Sequence, residues 1–168
     1  MTKIKVKING KEIILDKWPF IWPFTGQLGD GFGPRAKHPI TGKPAFHYGL
    51  DIGTAKDFGK EVVASGAGNV ARVGMEGGYG NNIIIYHGKN RGHTMHTRYA
   101  HLSNFGVFSP YRDKRGNLII DRVKKGEVIG LIGSTGWSTE AHIHFEIMVD
   151  GTPVDPLLFL PMEGLPHE

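Results

Sequence analysis

The stretch His142-Ile143-His144-Phe145-Glu146 sets two imidazoles and a carboxylate at alternate positions. In an extended strand successive side chains alternate faces, so His142, His144 and Glu146 share one face while Ile143, Phe145 and Ile147 share the other. The apolar face asks for burial, and the opposite face looks into something polar, which suits a metal site. Two more places carry ligand-type side chains, His47-Tyr48-Gly49-Leu50-Asp51 and His101 inside Tyr99-Ala100-His101-Leu102-Ser103. On a straight strand the side chains of residues 47 and 51 stand ~13 Å apart. That is too far to share an ion with bonds of about 2 Å, unless a backbone bend at Gly49, midway, brings them together; taken alone the pair reads rather as a turn histidine and a solvated Asp. The chain has no cysteine, so a metal would be held by His, Asp or Glu. That donor set favours zinc or another borderline metal, and a catalytic site over a structural one. A catalytic zinc keeps three protein ligands and an open position. Four imidazoles and one carboxylate leave two imidazoles over, and hydrolysis has work for both: one accepts the proton of water, the other stabilises or protonates in the transition state. Composition alone does not say which three ligate.

The elements that would position these groups read as β throughout. Residues 3–15 form a hairpin, with Ile4, Val6 and Ile8 alternating with lysines and Asn9-Gly10 as the two-residue turn. Residues 18–24 are aromatic and interrupted by proline, and residues 26–43, rich in Gly and Pro, read as a long surface loop. Short strands follow at 61–64, 69–73, 82–86, 97–102, 118–121, 127–132 and 142–149, separated by turn signals, and no window has a helical period. Residues 154–160 close the core. The fold class expected is all-β and mainly antiparallel, a sandwich or barrel-like core with long loops walling a groove. The organisation expected is an N-terminal hairpin extension at 1–16, a catalytic domain at 17–162 and a short tail at 163–168.

At 168 residues, one domain buries a sufficient core without a staple. The 25 glycines are scattered among β-type runs and mark turns and bulges, not disorder. The net charge of +4 would tolerate nucleic acid or an anionic polymer such as a bacterial wall, but without a dense basic block it singles out neither; no nucleic-acid partner is expected on the motifs that follow. The first residues alternate apolar and basic and lack the apolar core of a secretory signal, and no run reaches transmembrane length.

The order H-x-x-x-D, Y-A-H-L-S and S-T-x-x-H-I-H-F-E resembles the lysostaphin/LytM-type zinc endopeptidases that cut peptide cross-links of bacterial peptidoglycan. The resemblance runs from about Phe32 to Leu160. It includes Phe32-Gly33-x-Arg35, Gly53, Val63-Ala64-x-Gly66-x-Gly68-x-Val70, Gly78-Tyr79-Gly80-Asn81, Lys125-Gly126-x-x-Ile129-Gly130 and Gly133-x-Thr135-Gly136. Each motif alone is modest; all of them in one order are specific.

Carried over by position, the resemblance implies one Zn2+ per chain held by His47, Asp51 and His144, with His101 and His142 as the catalytic histidines. Zinc-activated water would be the nucleophile, and the two histidines would serve as general base and transition-state stabiliser. No H-E-x-x-H glutamate exists to take that part. Glu146 shares the face of the paired histidines, either hydrogen-bonding a ligand imidazole or standing solvated near the groove. His38, His87, His93, His96 and His167 are assigned structural or surface roles, and the loops at 87–96 and 104–117 are either groove walls or tolerated insertions. Two departures stand out: Glu140-Ala141 where the family has Gly-Pro, and the bulky Trp137 in a tight turn. The expected partner is the peptide stem or cross-bridge of peptidoglycan, met by a monomer that does not insert in a membrane, with the hairpin as a candidate virion-docking element. Action at the wall without a visible leader points to phage delivery, holin-type release or a fragment of a secreted protein. A metal-free binding module would lack one of the ligand residues. A biotinyl- or lipoyl-type carrier, suggested by Lys125-Gly126-Glu127-Val128-Ile129-Gly130, would need a modifiable lysine at a hairpin tip, and that signature is missing.

Overall fold

A computed structural model describes residues 2–105, 111–112, 114–119 and 122–164. The strands are β1 (Lys3–Ile8), β2 (Lys11–Asp16), β3 (Gly33–Arg35), β4 (Ala45–His47), β5 (Leu50–Ile52), β6 (Glu61–Val63), β7 (Gly68–Glu76), β8 (Gly80–Asn90) and β9 (His93–Leu102). They continue as β10 (Tyr111–Arg112), β11 (Leu118–Ile119), β12 (Arg122–Val123), β13 (Val128–Leu131), β14 (Ile143–Val149) and β15 (Thr152–Val154), and the helical pieces are single 3-10 turns. The fold is thus all-β, and every strand pair among the described residues is antiparallel. The main sheet runs β12-β7-β8-β9-β14-β15, with β5 also paired to β14. No helix among the described residues is long and apolar enough to cross a membrane.

β14 is central because both of its faces are committed. Ile143, Phe145, Ile147 and Val149 are fully buried in the core with Tyr99, Leu102, Ile129 and Phe159, while His144 and Glu146 occupy the other face. Burying an aliphatic or aromatic side chain of this size contributes about 1.5–3 kcal/mol, so the apolar half of the alternation holds the strand's register. The shorter pair β6–β13 adds Val62 and Ile129 to the same core. The β1–β2 ribbon turns at Asn9-Gly10, both at positive φ, and its Val6, Ile8 and Leu15 belong to the core.

Two loop expectations need correction. The stretch 87–96 is not a loop: β8 extends to Asn90 and β9 begins at His93, with the turn confined to Arg91-Gly92. Arg91 adopts φ 49°, a conformation that arginine seldom signals in sequence. His93 pairs with Asp150 and His96 stacks on Tyr86, and neither lines the groove. Within 26–43, Gly33–Arg35 pairs with Ala45–His47 as a short ribbon. Of the 104–117 loop, residues 106–110 and 113 lie outside the described residues, as do 120–121 of the expected 118–121 strand and His167 with most of the tail.

Candidate metal and catalytic centre

Asp51 lies opposite His144 in the β5–β14 register, and cross-strand partners share a face. His47 arrives from a different ribbon, and the chain passes from one to the other through Tyr48 and Gly49. Gly49 is required by proximity. A Cβ there would collide with the Phe145 carbonyl and come 2.8 Å from the His144 ring. The bend expected at this glycine is therefore a close approach of two strands over the site.

The three side chains converge. His47 Nε2 lies 3.1 Å from Asp51 Oδ1 and 3.2 Å from His144 Nδ1, and His144 Nδ1 lies 3.0 Å from Asp51 Oδ1. The far nitrogen of each ring is already used. His47 Nδ1 donates to the Gly31 carbonyl at 2.8 Å, and His144 Nε2 donates to Glu146 Oε1 at 2.9 Å. With those protons fixed outward, the inward nitrogens of the two rings aim lone pairs at each other and at a carboxylate until a further proton or a cation arrives. Three acceptors this close need positive charge among them. Burial works against charging His144, but hydrogen bonds to Asp51 and Glu146 push its pKa up to about 9, so a proton can supply that charge. Burial also works to raise the Asp51 pKa, yet the close contacts of its carboxylate with His144 and His47 hold it well below the usual carboxylate range. A metal ion meets the same need with all three lone pairs engaged. Tetrahedral zinc with bonds of about 2.0–2.1 Å sets its ligand atoms about 3.3 Å apart, close to the triangle observed. These three residues could hold a metal ion.

The remaining two imidazoles flank this triangle. His101 is reached through a β-bulge: Asn81 pairs with Leu102 and Ile83 with Tyr99, so β9 carries an extra residue against β8. Regular alternation would send His101 into the core with Tyr99. At φ 63° it turns instead onto the face of His144, its ring centroid 5.8 Å from that of His144 and 4.9 Å from that of His142. His101 Nδ1 donates to the Thr135 carbonyl at 2.7 Å. Burial, reinforced by His142 and His144, pushes the His101 pKa down to about 4, so the ring is neutral near pH 7 with Nε2 able to accept. His142 Nδ1 donates to the Glu140 carbonyl at 2.8 Å, and its Nε2 lies 3.6 Å from Asp51 Oδ1. Every imidazole of the cluster thus has one nitrogen anchored to a protein acceptor, which sets its tautomer.

Sequence reasoning did not find the charges behind Glu146. This carboxylate is fully buried and lies 3.6 Å from Arg98 Nη1; Arg98 also meets Glu76 at 3.6 Å and lies over the Tyr79 ring at 3.9 Å. Arg98 stands opposite Glu146 in the β9–β14 register, so the only possible signal was a cross-strand pairing that sequence order hides.

The groove over the centre has a volume of about 600 Å3. One wall carries Trp137, whose backbone N–H donates to Gly78 at 2.8 Å and whose ring meets His38 edge-on. Gly80 and Gly136 let the two wall loops touch backbone to backbone, where a Cβ on either would clash. Glu140, the departure noted at the sequence level, accepts the Ala55 N–H at 3.0 Å and ties this wall to the turn after β5.

An all-β frame carrying a His-Asp-His cation site with two further imidazoles defines a candidate metallohydrolase. The chain belongs to Peptidase family M23, whose model matches residues 45–156. It is 37% identical over 131 residues to the peptidoglycan DD-endopeptidase ShyB of Vibrio cholerae, covering 78% of this chain and 27% of that protein. The chain therefore spans about a quarter of the length of that curated relative. Among solved structures it is similar to the catalytic domain of lysostaphin from Staphylococcus simulans, with TM-score 0.62 and 34% identity over 80% of this chain and 91% of that one. A zinc-containing peptidase from Vibrio cholerae matches with TM-score 0.64 and 30% identity, over 91% of this chain and 48% of that one.

Proposed function

We propose that this chain is a zinc-dependent peptidase domain that hydrolyses peptide cross-links of bacterial peptidoglycan and acts at the cell wall. The observation that carries the reading is the triangle of three buried or half-buried acceptors, His47 Nε2, Asp51 Oδ1 and His144 Nδ1, flanked by two imidazoles whose Nδ1 atoms are tied back. Kinship with a peptidoglycan DD-endopeptidase supports the substrate class, and the zinc-containing relative supports the metal.

In this reading His47, Asp51 and His144 hold the zinc. When bound, the ion polarises the scissile carbonyl and lowers the pKa of water. The protein does the rest. Neutral His101 accepts the proton of the attacking water at Nε2, because its Nδ1 proton is committed to Thr135. His142, the more exposed of the two, as the imidazolium donates from Nε2 to the developing oxyanion, and the proton taken up by His101 passes to the departing amine. Glu146 fixes the His144 ring so that Nδ1 faces inward. The aromatic walls hold the peptide extended across the centre.

The test is metal analysis of the purified chain together with digestion of purified peptidoglycan. About one zinc per chain and chelator-sensitive release of wall peptides are expected. Folded protein that binds wall without metal and releases no peptides would refute the reading.

A further inference from the structure

Arg35 is the only lysine or arginine among the described residues that line the groove. Its place follows from register. Gly33 pairs with His47 and Arg35 with Ala45. Cross-strand partners share a face, as do residues two apart, so the Arg35 side chain leaves the ribbon on the same face as the His47 ring. Such diagonal neighbours start roughly 7–8 Å apart, about the span of two residues of extended peptide. Opposite Arg35, the small Ala45 leaves the guanidinium room.

That guanidinium is unusual in having so little to hold. Its side chain is 17% exposed, its Nε is buried without a partner, and its five donors make no hydrogen bond to any described residue. The nearest opposite charge is Asp30 Oδ2 at 3.6 Å, on a carboxylate 63% exposed to solvent. The other carboxylates around the groove are engaged: Asp51 by the histidines, Glu146 by His144 and Arg98, and Glu140 by the Ala55 N–H. A planar fork of donors whose one ion pair among the described residues is to a solvent-exposed carboxylate, beside a hydrolytic centre, is suited to a carboxylate from outside.

We propose that Arg35 is a specificity-determining residue that binds a free substrate carboxylate carried on the carbon that bears the leaving amine. The inference rests on the peptidase reading above and narrows it. In a direct D-alanyl–diaminopimelate cross-link that carboxylate stands three bonds from the scissile carbonyl carbon, and a terminal D-alanyl-D-alanine offers the same group. An internal bond of a glycine bridge has no charge there. Arg35 thus makes this site selective for peptides with an anionic leaving side.

The experiment compares kcat/KM of zinc-loaded wild-type, Arg35→Gln and Arg35→Lys protein on four peptides. These are a D-alanyl–diaminopimelate-linked dimer, the same dimer with that carboxylate converted to the primary amide, a stem ending in D-alanyl-D-alanine, and pentaglycine. The wild-type chain should prefer the carboxylate dimer to its amide by about 10- to 100-fold, mainly through KM. Arg35→Gln should erase that preference by weakening the carboxylate peptides alone, and Arg35→Lys should restore part of it, with zinc content and Tm unchanged. Whichever of the dimer and the D-alanyl-D-alanine stem has the higher wild-type kcat/KM, and the larger loss in Arg35→Gln, identifies the source of the carboxylate. Equal losses on all four peptides, or a wild-type chain indifferent to amidation, would overturn the assignment of Arg35 alone. Failure of the zinc-loaded wild type to cleave any of them would overturn the peptidase reading itself.

Discussion

Replacing Glu146 by Gln tests the centre through a residue that lies behind it. The amide keeps the shape of the side chain and can still accept from His144 Nε2, so the ring orientation survives while the negative charge disappears. The imidazole separates this carboxylate from a cation on Nδ1 by about 6 Å, where one charge attracts a dication by about 5 kcal/mol at an effective dielectric constant near 20. Rearrangement around Arg98, which would keep Glu76 and the Tyr79 ring as partners, offsets part of that attraction. Substitutions behind a metal ligand generally cost about 10–100-fold in affinity. We expect zinc binding to weaken toward the upper end, about 100-fold or 2.8 kcal/mol. Competition against a chromophoric chelator measures the dissociation constant, and a thermal melt of the metal-free chain reports folding separately. Unchanged zinc affinity in Glu146→Gln would refute the claim that this buried charge supports the metal through His144. A loss of zinc that tracks a loss of fold would refute it equally, since the effect would then lie in the core.

Two further outcomes follow from the same geometry. His142→Ala should keep zinc and lose most turnover, whereas His144→Ala should lose both, read by metal content and peptide release; the reverse pattern would show that the two histidines of the strand had been assigned the wrong way round. His87 sets a pH dependence of stability far from the centre. Its Nδ1 donates to the Ala67 carbonyl at 2.8 Å, and its Nε2 lies 2.7 Å from Thr97 Oγ1, which in turn lies 2.8 Å from the Tyr99 hydroxyl. Burial pushes the His87 pKa down to about 4, below its ordinary 6.5. The unfolded chain therefore binds the proton first. Stability is full above pH 6.5, falls as the pH drops toward 4 by up to about 3 kcal/mol, and levels off below. Urea melts across that window should show the slope, and His87→Gln should flatten it.

Much of this protein is legible without coordinates. The alternation of His142, His144 and Glu146 against Ile143, Phe145 and Ile147 foretells a strand with one wet face, because the pleat has a period of two and the apolar half must be buried. The Asn9-Gly10 turn, the all-β class and the family resemblance are equally local. What the linear order hides is every contact that needs two strands to meet. His101 would face the core by simple alternation; a bulge and a positive φ turn it into the groove. Gly49 reads as a hinge but is a clearance for the His144 ring. Which nitrogen each imidazole offers was decided by the carbonyls of Gly31, Thr135 and Glu140 and by the Glu146 carboxylate, and Arg98 joined that carboxylate only through strand register. Sequence order named side chains able to bind a metal. Their convergence within 3.2 Å, and the lone pairs left facing one another, belong to the tertiary structure because pairing between strands distant in sequence sets both.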